Sequence, residues 1–168
     1  MKSVSRVSLR GLVTLTVAFM TSAPVLSQPA PIFQPVLPQI RRSMPPGWTV
    51  RLPSGSQTPK DLVATFYDWD SQINILLSSA GCPDPGSGVC IAGRIIISKA
   101  NAQELKPNIT LGPGIDGYYF FGAAANGNYH HVKWRQDNQT YEVNGRMQKS
   151  EINKMSRSMA AAKPILLR

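Results

Sequence analysis

The sequence predicts an α+β fold, with a single antiparallel β-sheet of six or seven strands and a C-terminal helix packed on one face of the sheet. Three observations support this prediction. Short runs of alternating apolar and polar residues follow one another, separated by turn residues. Two cysteines flank one of these turns, and an apolar stripe at helical spacing lies near the end of the chain. We therefore expect one α+β domain over residues 47–168, with one hairpin pinned by a disulfide.

The first 27 residues have the layout of a cleavable signal peptide. Basic residues precede an uncharged stretch, GLVTLTVAFM, and small residues follow it. Val25 and Ser27 suit a cut between Ser27 and Gln28, whereas a cut after Ala23 would meet Pro24. A membrane anchor needs about 20 apolar residues, and the run here is shorter and is interrupted by proline. The segment predicts a secreted or periplasmic protein with no transmembrane segment after cleavage.

Residues 28–46 are predicted to be a proline-rich tail or linker. The stretch contains six prolines, which lack an amide donor and fix φ, so we expect neither a regular helix nor a central strand. Its apolar residues are unusual for a spacer. Two interpretations stay open, in which the segment either packs on the domain or remains a free linker.

The first strand is predicted at 48–52, where apolar and polar residues alternate before Pro53. Residues 61–69 allow two interpretations. Thr58 and Pro59 suit the start of a helix, but β-branched and aromatic residues dominate the segment. We predict a strand here, with a helix as the alternative.

The most strongly apolar part of the predicted core is a hairpin closed by a disulfide between Cys82 and Cys90. The intervening residues, PDPGSGV, predict a turn. Cysteines of exported proteins are usually paired, and closing a loop of this length stabilises a fold by about 2.5 kcal/mol. The spacing fits neither a zinc site nor a C-x-x-C redox motif. The core face of this hairpin is predicted to carry Ile73, Ile75, Leu77, Val89, Ile91, Ile95 and Ile97.

The second half of the chain predicts a meander. One helical turn is expected between Lys99 and Asn108, and 109–111 is expected to form a short edge strand. The segments GYYFFGA, YHHVKW and TYEV then read as three strands with turns between them.

The last element is predicted to be an amphipathic helix. Ser150 is placed to cap it, Glu151 lies in the first turn, and Pro164 ends it. One side of the helix is apolar and is expected to lie on the sheet, while a charged side faces away. The apolar side consists of Ile152, Met155 and Met159, and the charged side of Lys154 and Arg157.

The charge of the chain points to an anionic partner. Three of the 18 basic residues and none of the nine acidic residues lie in the first 27 positions, so the remainder carries a net charge of +6. Because nucleic acid is not expected outside the cell, the charge suggests either an anionic envelope component or an acidic protein, or it only serves solubility. The candidate cationic surface comprises His131, Lys133, Arg135, Lys154 and Arg157.

Catalytic chemistry has weak support in the sequence. His130 and His131 are the only histidines, and neighbouring residues of a strand point to opposite faces, so the two cannot easily share a site. No GxSxG, HExxH or glycine-rich phosphate loop accompanies them. We predict no catalytic residue, no cofactor and no metal site. By the same alternation, the pair Tyr118 and Phe120 points away from Tyr119 and Phe121, so one pair needs a cover other than the helix.

The last third of the chain combines a strand with tryptophan, a turn, Tyr-x-Val-x-Gly, and an amphipathic helix. The residues of this pattern are Trp134, Tyr141, Val143, Gly145, Ile152, Met155 and Ser158. With this pattern the chain resembles small exported bacterial domains of unknown function. The resemblance implies an α+β fold and a bacterial envelope setting, and it brings no catalytic residues.

The function predicted from these features is that of an exported, non-enzymatic binding module. Its ligand or partner is not identified by the sequence. The alternatives are a small secreted hydrolase that uses His130 or His131, and a structural component of the envelope.

Overall fold

A computed structural model describes residues 28–69, 71–84, 87–100, 106–124 and 127–165. Within them the chain forms one antiparallel sheet of seven strands and two α-helices, α1 (Leu37–Ser43) and α2 (Lys149–Ala161). The predicted signal peptide lies outside the described residues, as does most of the helical turn predicted between Lys99 and Asn108. The strands are β1 (Leu62–Trp69), β2 (Gln72–Ser79), β3 (Ile91–Lys99), β4 (Ile109–Gly112), β5 (Ile115–Ala124), β6 (Gly127–Gln136) and β7 (Gln139–Gly145).

The strands are arranged in the order β1-β2-β3-β7-β6-β5-β4. Every neighbouring pair is antiparallel, so the predicted α+β class with a single antiparallel sheet is confirmed. The strand alternative for residues 61–69 is the correct one, and the short strand predicted at 109–111 is β4, at one edge. Because β7 returns between β3 and β6, the last strand of the chain lies at the centre of the sheet.

Both helices pack on the same face of the sheet. Alternate strand residues on this face form the core with the apolar side of α2, as predicted. Helix α2 contacts β4, β6 and β7, whereas the N-terminal segment contacts β1. None of the helices in the described ranges is long and apolar enough to cross a membrane.

The segment of residues 28–46 packs into the core. Phe33 and Ile40 are fully buried, so the open question of packing or free linker is answered in favour of packing. The expectation that prolines exclude a helix here is wrong, because α1 spans Leu37–Ser43 with Pro38 in its first turn. Amides of the first turn have no acceptor within a helix, so proline costs little there.

The strand predicted at 48–52 does not form. Instead, side chains from the sheet bind the backbone of Thr49, whose N–H donates to Gln139 Oε1 at 2.8 Å while its carbonyl accepts from Gln139 Nε2 and from the Tyr141 hydroxyl. Only Val50 pairs with another backbone segment, in an isolated bridge to Ile165. Polar side chains thus satisfy the backbone groups that a neighbouring strand would otherwise bind.

Three smaller outcomes concern the predicted hairpin and helix. Cys82 and Cys90 form the expected disulfide, with their Cα atoms 6.0 Å apart. Val89 does not join the core face, because it lies in the turn before β3 and is 85% exposed. The cap of α2 is Gln148 rather than Ser150, and it forms a reciprocal capping box with Glu151.

Candidate functional site

The face of the sheet opposite the helices is not covered by any element within the described residues. We call it the open face. It is built from strand positions that alternate with the core positions, and it carries most of the exposed polar residues and part of the aromatic residues of the strands. Its principal side chains are Tyr67, Trp69, Asn74, Leu76, Arg94, Tyr118, Phe120, Tyr129, His131, Lys133, Arg135, Glu142 and Asn144.

A row of rings crosses β5 and β6 on the open face. Phe120 stacks on His131 with ring centres 4.2 Å apart and planes within 11°, and Tyr118 stacks on Phe120 at 5.4 Å. Tyr129 lies 6.3 Å from His131, and the Arg146 guanidinium lies 5.6 Å from the centre of the Tyr129 ring. Direct cross-strand pairing of Phe120 with His131 explains the closest of these contacts.

Glu142, at the centre of the open face, interacts with three neighbouring side chains. Its carboxylate accepts hydrogen bonds from Asn144 at 2.8 Å and from His131 Nδ1 at 3.1 Å, and it pairs with the Lys133 ammonium at 3.1 Å. Burial alone would raise the pKa of Glu142, but the hydrogen bonds from Asn144 and His131 and the charge of Lys133 outweigh burial and lower it. Since an ionised carboxylate can only accept, Nδ1–H of His131 is the donor of this hydrogen bond.

A pocket of about 450 Å³ opens on the same side of the sheet, over β1, β2 and β3. Tyr67 and Trp69 form one side of it and are 42% and 66% exposed, and the apolar part of its floor includes the buried Leu76. Asp68, Asn74 and Arg94 supply its polar groups, so the lining carries one acidic and one basic side chain. Its volume falls in the range of small-molecule sites, which combine apolar walls with a few polar groups.

The structure divides the predicted cationic surface into two parts. His131, Lys133 and Arg135 lie together on the open face, because they are alternate residues of β6. Lys154 and Arg157 are exposed on the side of α2 that faces away from the sheet. The two groups therefore lie on opposite sides of the molecule and do not form one surface.

The two histidines lie on opposite faces, as the strand alternation predicts. His130 is on the helix side, where the Tyr119 hydroxyl lies 2.9 Å from its Nδ1 and Phe121 packs against its ring. The Lys149 ammonium in turn lies 4.2 Å from the centre of the Tyr119 ring. Tyr118 and Phe120 lie on the face opposite the helices, and Phe121 is itself 55% exposed although it lies on the helix side, so the helix covers neither pair completely.

Several residues of this face were not singled out by the sequence analysis. Tyr67 and Trp69 were treated only as members of an ambiguous segment, and Arg94 as part of an apolar hairpin. Glu142 was not named as a candidate. The alternation within each strand was the available signal, but it locates these residues only when the order and register of the strands are known.

Comparisons with models of protein families, with curated proteins and with solved structures found no match for this chain.

Proposed function

We propose that the chain is an exported, non-enzymatic binding module that holds an anionic component of the cell envelope on its open face. The observation that carries the proposal is the joint placement of cations and stacked rings on a face that no described element covers. Exposed patches of this kind on a small domain are typical of binding sites. The proposal retains three of the five predicted ligand-binding residues, namely His131, Lys133 and Arg135, and omits those on α2.

The charges of the open face favour an anion. Arg94, Lys133 and Arg135 are spread over β3 and β6, and the Lys133 ammonium pairs with the Glu142 carboxylate. An extended polyanion fits cations spaced over two strands better than a compact anion does, because it can contact several of them at once. The rings of Tyr118 and Phe120 beside them offer flat apolar surface to the uncharged part of a sugar or lipid ligand.

The binding experiment compares two double variants that remove the same charge from opposite sides of the molecule. Lys133→Gln with Arg135→Gln alters the open face, and Lys154→Gln with Arg157→Gln alters α2. We expect about tenfold weaker binding to an acidic envelope polysaccharide for the first variant, because two surface charge contacts of up to about 1 kcal/mol each are lost. The second variant should bind like the unaltered protein.

Salt and lipid arms complete the test. Binding should weaken between about 0.1 M and 1 M salt, since the screening length falls from about 10 Å to about 3 Å. In a parallel series, anionic vesicles replace the polysaccharide. Comparing the two series shows whether the ligand of the open face is a lipid headgroup or a glycan. Equal binding by both double variants, or no binding by the unaltered protein, would contradict the proposal.

Export is tested separately from binding. The protein recovered from the periplasm or the medium of a bacterial host should begin at Gln28, and its intact mass should show the disulfide. The basic and apolar pattern of residues 1–27 and the Cys82–Cys90 disulfide support this expectation. A cell-associated species that retains residues 1–27 would contradict it.

One contact favours a second function, that of a hydrolase. The Glu142 carboxylate lies 3.1 Å from His131 Nδ1, and hydrolases use such a pair to orient a histidine as a general base. If this is the function, the bound polysaccharide should be cleaved slowly, and His131→Gln should abolish cleavage while binding persists. The release of reducing ends measures cleavage of the polysaccharide. Binding without cleavage would favour the non-enzymatic binding module over the hydrolase.

A further inference from the structure

The two edges of the sheet differ in how they are protected against pairing with another strand. β4 is one edge, and it is short, shows an irregular register beside β5, and is flanked by Pro107 and Pro113. Natural sheets commonly block an edge by such means, namely shortness, irregularity and proline. The β4 edge is therefore a poor site for strand addition.

The β1 edge has none of these protections. β1 contains eight residues, and its pairing with β2 continues without a shift from Leu62 to Trp69. It contains no proline, lysine or arginine, and Asp68 is its only charged residue. On the open face it presents Val63 and Tyr67, which are 44% and 42% exposed. A long, regular and apolar edge strand is expected to pair with another strand.

We propose that β1 pairs with β1 of a second copy of this chain, in antiparallel orientation about a two-fold axis at Phe66. Each copy then contributes the same strand, as two-fold symmetry requires. The sheet continues across the interface with fourteen strands, seven from each copy. The open faces of the two copies lie on the same side of this sheet.

The alternation of side chains restricts the register. In an antiparallel pair, opposite residues share a face, so the axis must pass through a residue rather than between two residues. An axis at Phe66 places Val63 opposite the partner's Trp69 and Thr65 opposite the partner's Tyr67. Both are pairs of a β-branched with an aromatic residue, a combination that stabilises cross-strand contacts.

The neighbouring register, with its axis at Thr65, is less favourable. It leaves Trp69, the most exposed large apolar residue of β1, without an opposite residue inside the strand. Asp68 does not distinguish the two registers, because the residue opposite it is the buried Leu62 in one and the equally buried Ala64 in the other.

The dimer would complete the rim of the pocket described above. Trp69 lines this pocket, and in the proposed register the partner's Val63 packs beside Trp69. Two pockets then lie near the dimer axis, and two copies of the cationic region are joined on one surface. The dimer rests on β1 alone and does not depend on the proposed function.

The experiment uses two charged variants of β1 that differ only in sign at one position. Val63→Lys with Trp69→Lys sets like charges opposite each other across the interface, and Val63→Lys with Trp69→Glu sets opposite charges there. Both positions are exposed, and their neighbours on β2, Ser78 and Gln72, are uncharged, so both variants should fold. Near-ultraviolet circular dichroism verifies the fold, and Thr110→Lys on β4 is the control.

Sedimentation equilibrium of the mature protein across the micromolar range measures the mass. We expect the dimer mass for the unaltered protein and for the Thr110→Lys control. The Lys/Lys variant should be monomeric, and the Lys/Glu variant should dimerise at a higher concentration than the unaltered protein.

A monomer at all concentrations for the unaltered protein would overturn the proposal and leave another polypeptide as the occupant of the edge. Dimerisation of the Lys/Lys variant, or equal behaviour of the two charged variants, would also overturn it. Because no ligand is present in these measurements, they can fail while the binding experiment succeeds.

Discussion

Replacing Phe33 by alanine should lower the free energy of unfolding by about 3 to 5 kcal/mol. Phe33 is fully buried in the same core cluster as Leu62 and Ala64 of β1, so truncation removes buried apolar surface and leaves a cavity. The short helical turn that contains Phe33 also contacts β1, which limits how far the site can collapse around that cavity. A loss of this size is a large part of the total stability of a small domain, about 5 to 15 kcal/mol.

Equilibrium unfolding in urea measures this effect. We expect a lower midpoint with an unchanged dependence on urea, which indicates a change of stability rather than of the surface exposed on unfolding. Gln39→Ala is the matched control, because this residue lies in α1 but is exposed, and its effect should stay within about 0.5 kcal/mol. A loss below about 1 kcal/mol for Phe33→Ala would refute the conclusion that residues 28–46 belong to the core.

Three further predictions concern the rest of the fold. Cys82→Ser should lower the free energy of unfolding by about 2.5 kcal/mol without abolishing the native circular dichroism spectrum, because a short loop is no longer closed in the unfolded chain; no measurable loss would contradict this. Gly145→Ala should cost about 1 to 3 kcal/mol in thermal or urea unfolding, since a Cβ there would lie 2.6 Å from Gly93 Cα and closer still to a backbone oxygen of β3; a neutral effect would show that β3 and β7 can separate freely. Because the folded-state pKa of Glu142 is lowered, its contribution to stability is present above the ordinary value of 4.5 and is lost as the pH falls through the lowered pKa. Urea midpoints of the unaltered protein and of Glu142→Gln should therefore converge in acid, and parallel pH profiles would contradict the assignment.

The sheet and the C-terminal helix could be predicted from the sequence because the periodicity of neighbouring residues indicates both. Ile73 and Ile75 alternate with polar residues in β2, and Ile152 and Met155 recur at helical spacing in α2, so the buried face of each element can be identified from neighbouring residues. The same signal was misleading at 48–52. There the alternation is present, but the partner of Thr49 is a set of side chains from β7 rather than a strand.

The candidate site was less accessible to sequence reasoning because it depends on strand order. His131, Lys133 and Arg135 could be placed on one face from the alternation in β6 alone. Glu142 comes beside them only because β7 pairs with β6, and Arg94 lies on the same face only because β3 pairs with β7. Lys154 and Arg157 were grouped with the β6 cations because of their charge. They lie on the side of α2 that faces away from the sheet, so the sheet and the helix separate them from the open face.

The most direct test of the open face as the binding surface is a map of the ligand contact by nuclear magnetic resonance. Amide signals of the mature, isotope-labelled protein are followed while an acidic envelope polysaccharide is added at low salt. We predict that the perturbed signals cluster at Phe120, His131 and Lys133 and at neighbouring positions of the open face. Perturbations concentrated at Lys154 and Arg157, or spread evenly over both sides of the sheet, would contradict the account.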